Sequence, residues 1–124
     1  MSRVLVPAVP LPGFHQATTL CLEAVEGAVG LYSLSSPQAA GLRLYALDAA
    51  LHLADYQPVF TNEQLALLGE PEPDARVILV IVNTSDQQAS VNLLAPVIFN
   101  AHTGVCAQLI LEGQDLPIRS VLAL

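Results

Sequence analysis

Apolar residues recur at alternate positions in several short segments of this chain, the period of a half-buried β-strand. Between Thr19 and Val25, Leu20, Leu22 and Ala24 share one side, with Thr19 and Glu23 on the other beside Cys21 and Val25. Leu31 to Leu34 and Leu42 to Leu47 predict two further strands, divided by Ser35-Ser36-Pro37 and Gly41; in the second, Leu42 and Leu44 point inward and Arg43 and Tyr45 outward. Val77 to Val82 is apolar at both parities, which predicts a strand covered on both faces. After a polar turn over Asn83 to Gln88, Ala89 to Leu94 returns as a strand. Pro96 interrupts it, and Val97 to Asn100 continues at an angle. His102-Thr103-Gly104 then turns into Val105 to Glu112, whose odd positions Val105, Ala107, Leu109 and Leu111 face one way.

One segment has helical signals. Thr61 and Gln64 make a capping box, Phe60 and Leu65 are placed as a hydrophobic staple, and Gly69 stands where the helix must stop. About two turns are too short to be stable alone, so Leu65, Leu67 and Leu68 are expected to pin the helix to the sheet. Asp48 to Leu53 reads as irregular. Leu11-Pro12-Gly13-Phe14 reads as a turn, since Pro fixes φ and Gly permits φ > 0. Glu70-Pro71-Glu72-Pro73-Asp74 reads as a surface loop that is neither helix nor central strand. Seven or eight short strands with turn signals every eight to twelve residues favour a sandwich or barrel. The expectation is an all-β fold: a small antiparallel β-barrel-like domain with one short helix, a single domain over residues 1–124.

Composition narrows the function. Mean hydropathy is high at +0.55, yet uninterrupted apolar runs stop at about six residues, far short of the roughly 20 that cross a bilayer. Pro7, Pro10 and Pro12 break any leader-type segment, so no membrane is expected and the localisation is read as cytoplasmic. Eleven acidic residues against four Arg and no Lys give a formal charge of −7. Direct nucleic-acid binding, which draws its affinity from cations displacing counterions, is thereby disfavoured, and a basic protein is the more natural partner. Cys21 and Cys106 are read as core thiols.

A search for reactive chemistry returns little. There is no G-x-S-x-G signature for a nucleophile and no glycine-rich phosphate cradle. His15, His52 and His102 lack ligand spacing, so neither a metal nor a cofactor is expected. Asn92 and Asn100 stand inside apolar runs, where a buried amide without a partner costs a few kcal/mol. They are read as satisfying backbone near the Pro96 break.

These motifs, taken in order, resemble the FliW flagellar assembly factors. The match runs from Leu11-Pro12-Gly13-Phe14 through Asp55-Tyr56, the capped helix from Thr61 to Gly69, the acidic proline loop and Val77 to Val82. It continues through Val91-Asn92-Leu93-Leu94-Ala95-Pro96-Val97-Ile98-Phe99-Asn100 and ends at Gln108 to Glu112 and Leu116-Pro117-Ile118-Arg119. Pro7 and Pro10 replace a phenylalanine and a glycine usual in the family, which points to a first strand that is shortened or absent. The resemblance implies a barrel-like protein that is not an enzyme. It implies binding to the carbon storage regulator CsrA, relief of CsrA's repression of flagellin translation, and binding to flagellin itself. The candidate contacts are Tyr56, Phe60, Glu70, Glu72, Asp74, Asn92, Leu93 and Pro96. Leu11, Pro12, Gly13, Phe14, Asn100, Gln108 and Pro117 are family-motif positions read as structural. The competing expectation is a small-ligand-binding barrel or a hydrolase sharing only the fold.

Overall fold

The computed structural model describes residues 2–53, 55–85, 88–111, 114, 116 and 120–121. Strands β1 (Ser2–Pro7), β2 (Leu20–Ala24), β3 (Leu31–Ser35) and β4 (Arg43–Asp48) lead to helix α1 (Ala49–His52) and helix α2 (Asn62–Leu67). Strands β5 (Arg76–Ser85), β6 (Gln88–Asn100), β7 (Val105–Gln108) and β8 (Ser120–Val121) follow. The sheet runs β5-β4-β3-β2-β1-β7-β6, and the pairing of β6 with β5 closes it into a seven-stranded barrel. β8 adds to the first half of β6, opposite Ser90 and Val91.

The barrel is all-β, with one departure from the antiparallel expectation. β1 and β7 run parallel, Val6 facing Val105 and Pro7 facing Cys106. Pro7 therefore ends the first strand without abolishing it: β1 makes four antiparallel pairs with β2 before the proline is reached.

Period-2 patterning sets the core. Leu5, Leu20, Leu34 and Leu79 are fully buried in the barrel interior, and Leu42 and Leu44 point inward with them. β5 is covered on both sides. Leu79 and Ile81 face the interior, while Val80 packs outside with Leu47, Ala49 and Val91. Beneath α2 a third cluster joins Leu68, Ile98, Ala107 and Leu109, with Phe60 packed against it. Cys106 lies in the interior, but Cys21 is only half-buried, because it pairs with the outward Val4 on the other parity.

Helix α2 has the expected cap. Thr61 Oγ1 accepts from Gln64 N and Gln64 Oε1 accepts from Thr61 N, both at 3.0 Å. At its other end Gly69 N donates to Ala66 O and Glu70 N to Leu65 O, a Schellman closure with Gly69 at φ 79° and Glu70 at φ 53°. Only Leu68 is fully buried; Leu67 is 42% exposed and does not pin the helix. Thr61→Ala should cost about 1 kcal/mol of unfolding free energy, read as a lower urea midpoint with an unchanged slope.

Three local expectations are corrected. Asp48 to Leu53 is not irregular, because Asp48 Oδ1 accepts from Ala50 N at 2.9 Å and caps α1. Pro73–Ala75 forms one turn of 3-10 helix with Pro73 at its first position, where its missing N–H leaves no bond unmade, and Pro71 is buried. The turn after β5 is shorter than expected, since Asn83, Thr84 and Ser85 stay paired with β6.

Candidate functional site

The centre of the molecule's irregularity is a bulge in β6. Leu79 pairs with Val97 and Ile81 with Asn92, so Val80 alone on β5 faces Leu93, Leu94, Ala95 and Pro96 on β6. The looped backbone exposes donors that the ladder cannot serve. Asn92 Oδ1 accepts two of them, Leu94 N at 3.0 Å and Ala95 N at 3.2 Å. Gln108 Nε2 reaches across from β7 to Ala95 O at 3.1 Å. Pro96 is fully buried and offers no ledge to a partner; Leu93, Leu94 and Ala95 are half-buried.

Tyr56 clasps this bulge from the segment between the helices, its hydroxyl donating to Leu93 O. The two line an open recess with His52, Leu53, Asp55 and Gln57. Burial pushes the Tyr56 hydroxyl from 10.0 up to about 12, and burial likewise pushes the Cys106 thiol from 9.0 up to about 12. In both, folding favours the neutral form, so this stabilisation is complete below pH 9 and is lost as pH rises toward 12. The melting temperature should fall across that window, and less steeply above pH 10 in Tyr56→Phe.

The other candidates sit elsewhere. Phe60 packs under α2. Glu70, Glu72 and Asp74 are exposed on the loop between α2 and β5, and Glu70 lines a shallow recess with Asn62 and Arg76. Asn100 is buried and ties α2 to the barrel: Nδ2 donates to Leu68 O and Oδ1 accepts from His102 N, each at 2.9 Å. Leu11 is buried, Phe14 is half-buried against the interior, and Phe14 N donates to Leu11 O across the turn at Pro12 and Gly13 (φ 81°). Pro117 lies outside the described residues.

A larger recess contains none of the proposed contact residues. An open groove of about 560 Å³ runs between α2 and the chain beyond β7, lined by Val9, Val59, Leu67 and Ile110 with Glu63, Gln64 and Gln114. Val59 is 69% and Ile110 58% exposed. One signal was available in the sequence: Ile110 is a large apolar residue at the even, outward parity of its run. Gln64 Nε2 donates to Ile110 O at 3.1 Å, and the Gln114 amide pairs with both Val59 N and Val59 O at 3.0 and 2.8 Å. Among the described residues no group of three or more His, Cys, Asp and Glu could hold a metal ion. No described helix is long and apolar enough to cross a membrane.

The family model for FliW protein matches residues 2–122. The chain is 29% identical over 116 residues to the flagellar assembly factor FliW of Thermotoga neapolitana, covering 91% of this chain and 78% of the relative. It is 31% identical over 96 residues to that of Thermotoga petrophila, covering 75% of this chain and 62% of the relative. A crystal structure of the flagellar assembly factor FliW superposes with a TM-score of 0.86 at 19% identity, covering 95% of this chain and 84% of that one. At that identity the superposition speaks for the fold.

Proposed function

Since this chain belongs to the FliW family, we propose that it is a flagellar assembly factor that acts by binding other proteins. Its partners in this reading are CsrA, whose repression of flagellin translation it relieves, and flagellin. The match across residues 2–122 carries the proposal. The physical features agree with it: a net charge of −7 suits a basic RNA-binding partner, and exposed apolar side chains ring an open groove. The reading places the protein in the cytoplasm, with no direct nucleic-acid contact and no catalytic role.

The rival reading of a small-ligand barrel has less support. The cavity bordered by Leu11, Phe14, Leu44 and Gln108 and the interior leucines measures about 50 Å³, against the roughly 300 Å³ or more of metabolite pockets, and the groove of about 560 Å³ is open to solvent and does not enclose a ligand. Deleting the gene should reduce flagellin synthesis and swimming, and removing CsrA as well should restore synthesis. Unchanged flagellin levels in the single deletion would refute the regulatory role.

In this reading the acidic loop works through its field, repelling RNA phosphates when docked within a Debye length of about 8 Å. Glu70→Gln, Glu72→Gln and Asp74→Asn combined should then leave CsrA binding nearly intact while weakening the displacement of RNA. Loss of CsrA binding itself would make the loop a contact surface.

A further inference from the structure

The barrel interior is not filled evenly. Period-2 alternation brings Leu20, Leu34, Leu44 and Ile81 inward from the four neighbouring strands β2 to β5, and the register sets Leu34 opposite Leu44. Branched aliphatic side chains do not tile the space between them, and a cavity of about 50 Å³ remains, bordered also by Leu42 and Val97. The Leu11–Phe14 turn supplies the rest of its wall.

The chemistry of this lining selects its guest. Gln108 is the one polar side chain in it, and its Nε2 is already committed to Ala95 O at 3.1 Å. A buried water needs two to four polar partners, which this wall does not offer. A nonpolar guest gives up no hydrogen bond on entry and gains dispersion contacts on every side. An apolar cavity of about 150 Å³ takes benzene or xenon. Having about a third of that volume, this cavity is limited to a guest the size of a xenon atom or ethane.

We propose that the barrel interior holds a binding site for one small nonpolar molecule, with Phe14 as its gate. Phe14 lines the cavity and packs against the core, yet is only half-buried, so its ring stands between the guest and solvent. The backbone on both sides of it is fixed: Phe14 N donates to Leu11 O at 3.0 Å and Ala17 N to Phe14 O at 3.1 Å, and Leu11 and Ala17 are themselves buried. Entry therefore needs a rotation of one side chain and no opening of the turn, a motion fast for a ring with one face in water. A guest that enters the folded barrel and not the unfolded chain raises stability by mass action. The site is independent of which proteins the barrel holds.

Methyl NMR spectra of the full chain under increasing xenon pressure test the site. The methyls of Leu20, Leu34, Leu42 and Val97 should shift and saturate, while those of Val80 and Val91 in the outer cluster stay in place. Interior methyls that do not move, or that move no more than the outer ones and without saturation, would overturn the site. The gate is tested by Phe14→Ala, which joins the space of the lost ring to the cavity. Benzene should then raise the melting temperature of the variant by about 2 °C or more and leave the wild type unchanged. Benzene without effect on either protein, or with the same effect on both, would overturn the role of Phe14. Should a melt show that Phe14→Ala does not fold, Phe14→Leu replaces it, with faster xenon exchange than in the wild type as the expected result and an unchanged exchange rate as the contrary one.

Discussion

Asn100→Ala should lower the unfolding free energy by about 2–4 kcal/mol, a large share of the 5–15 kcal/mol typical of a domain. Both ends of this buried amide are used, on Leu68 O and on His102 N. His102 is exposed, so water can replace its lost acceptor. Leu68 is fully buried, and its carbonyl is left with no solvent to turn to. The bond also joins the end of α2 to the last residue of β6, so its loss loosens the helix that walls the groove. Asn100→Asp keeps the shape and the acceptor but removes the donor. It should be strongly destabilised at pH 7 and partly recover at acid pH, where a protonated carboxyl can donate again. Urea midpoints at two pH values would check this; a midpoint for Asn100→Ala equal to wild type would mean the amide holds nothing.

Leu79→Ala and Val80→Ala should both be costly, although the two side chains point in opposite directions. Leu79 fills the barrel interior and Val80 the outer layer between β5 and α1, and each is fully buried. Leu→Ala in such a site costs about 2–5 kcal/mol, from lost transfer energy and the cavity left behind. Val→Ala removes fewer atoms and should cost about 1.5–3 kcal/mol. An ordinary barrel strand with one wet face would show a penalty at one parity only. Equilibrium unfolding of the two variants distinguishes these cases, and a neutral Val80→Ala would mean the outer cluster is not packed.

Features governed by neighbours in sequence were legible before the structure. The alternation at Leu20 and Leu22 and at Leu42 and Leu44, the two-sided run at Leu79 to Ile81 and the Thr61–Gln64 box each depend on a few adjacent residues. What was missed depends on partners far along the chain. The parallel seam of β1 with β7 joins residues about a hundred positions apart, and nothing in either strand announces it. The asparagines were visible as anomalies, but the bulge that Asn92 supports depends on the register between β5 and β6. The prolines misled in both directions. Pro7 terminates a strand and does not prevent one, and Pro73 starts a helical turn. In the candidate site, the aromatic Tyr56 stands out in sequence as a contact for a partner, and in the fold its hydroxyl is taken up by Leu93 O. Val59 and Ile110 sit beside the more buried apolar residues Phe60, Leu109 and Leu111, so neither stands out in its segment; only the fold brings them to one groove.

The central claim is that this barrel works by holding other proteins. Purified chain mixed in turn with CsrA and with flagellin, and followed by size-exclusion chromatography with light scattering, addresses it most directly. The account predicts a stable complex with each partner, at masses equal to the sums of the components. Elution of the chain at its own 13.1 kDa mass in both mixtures, at concentrations well above micromolar, would contradict it.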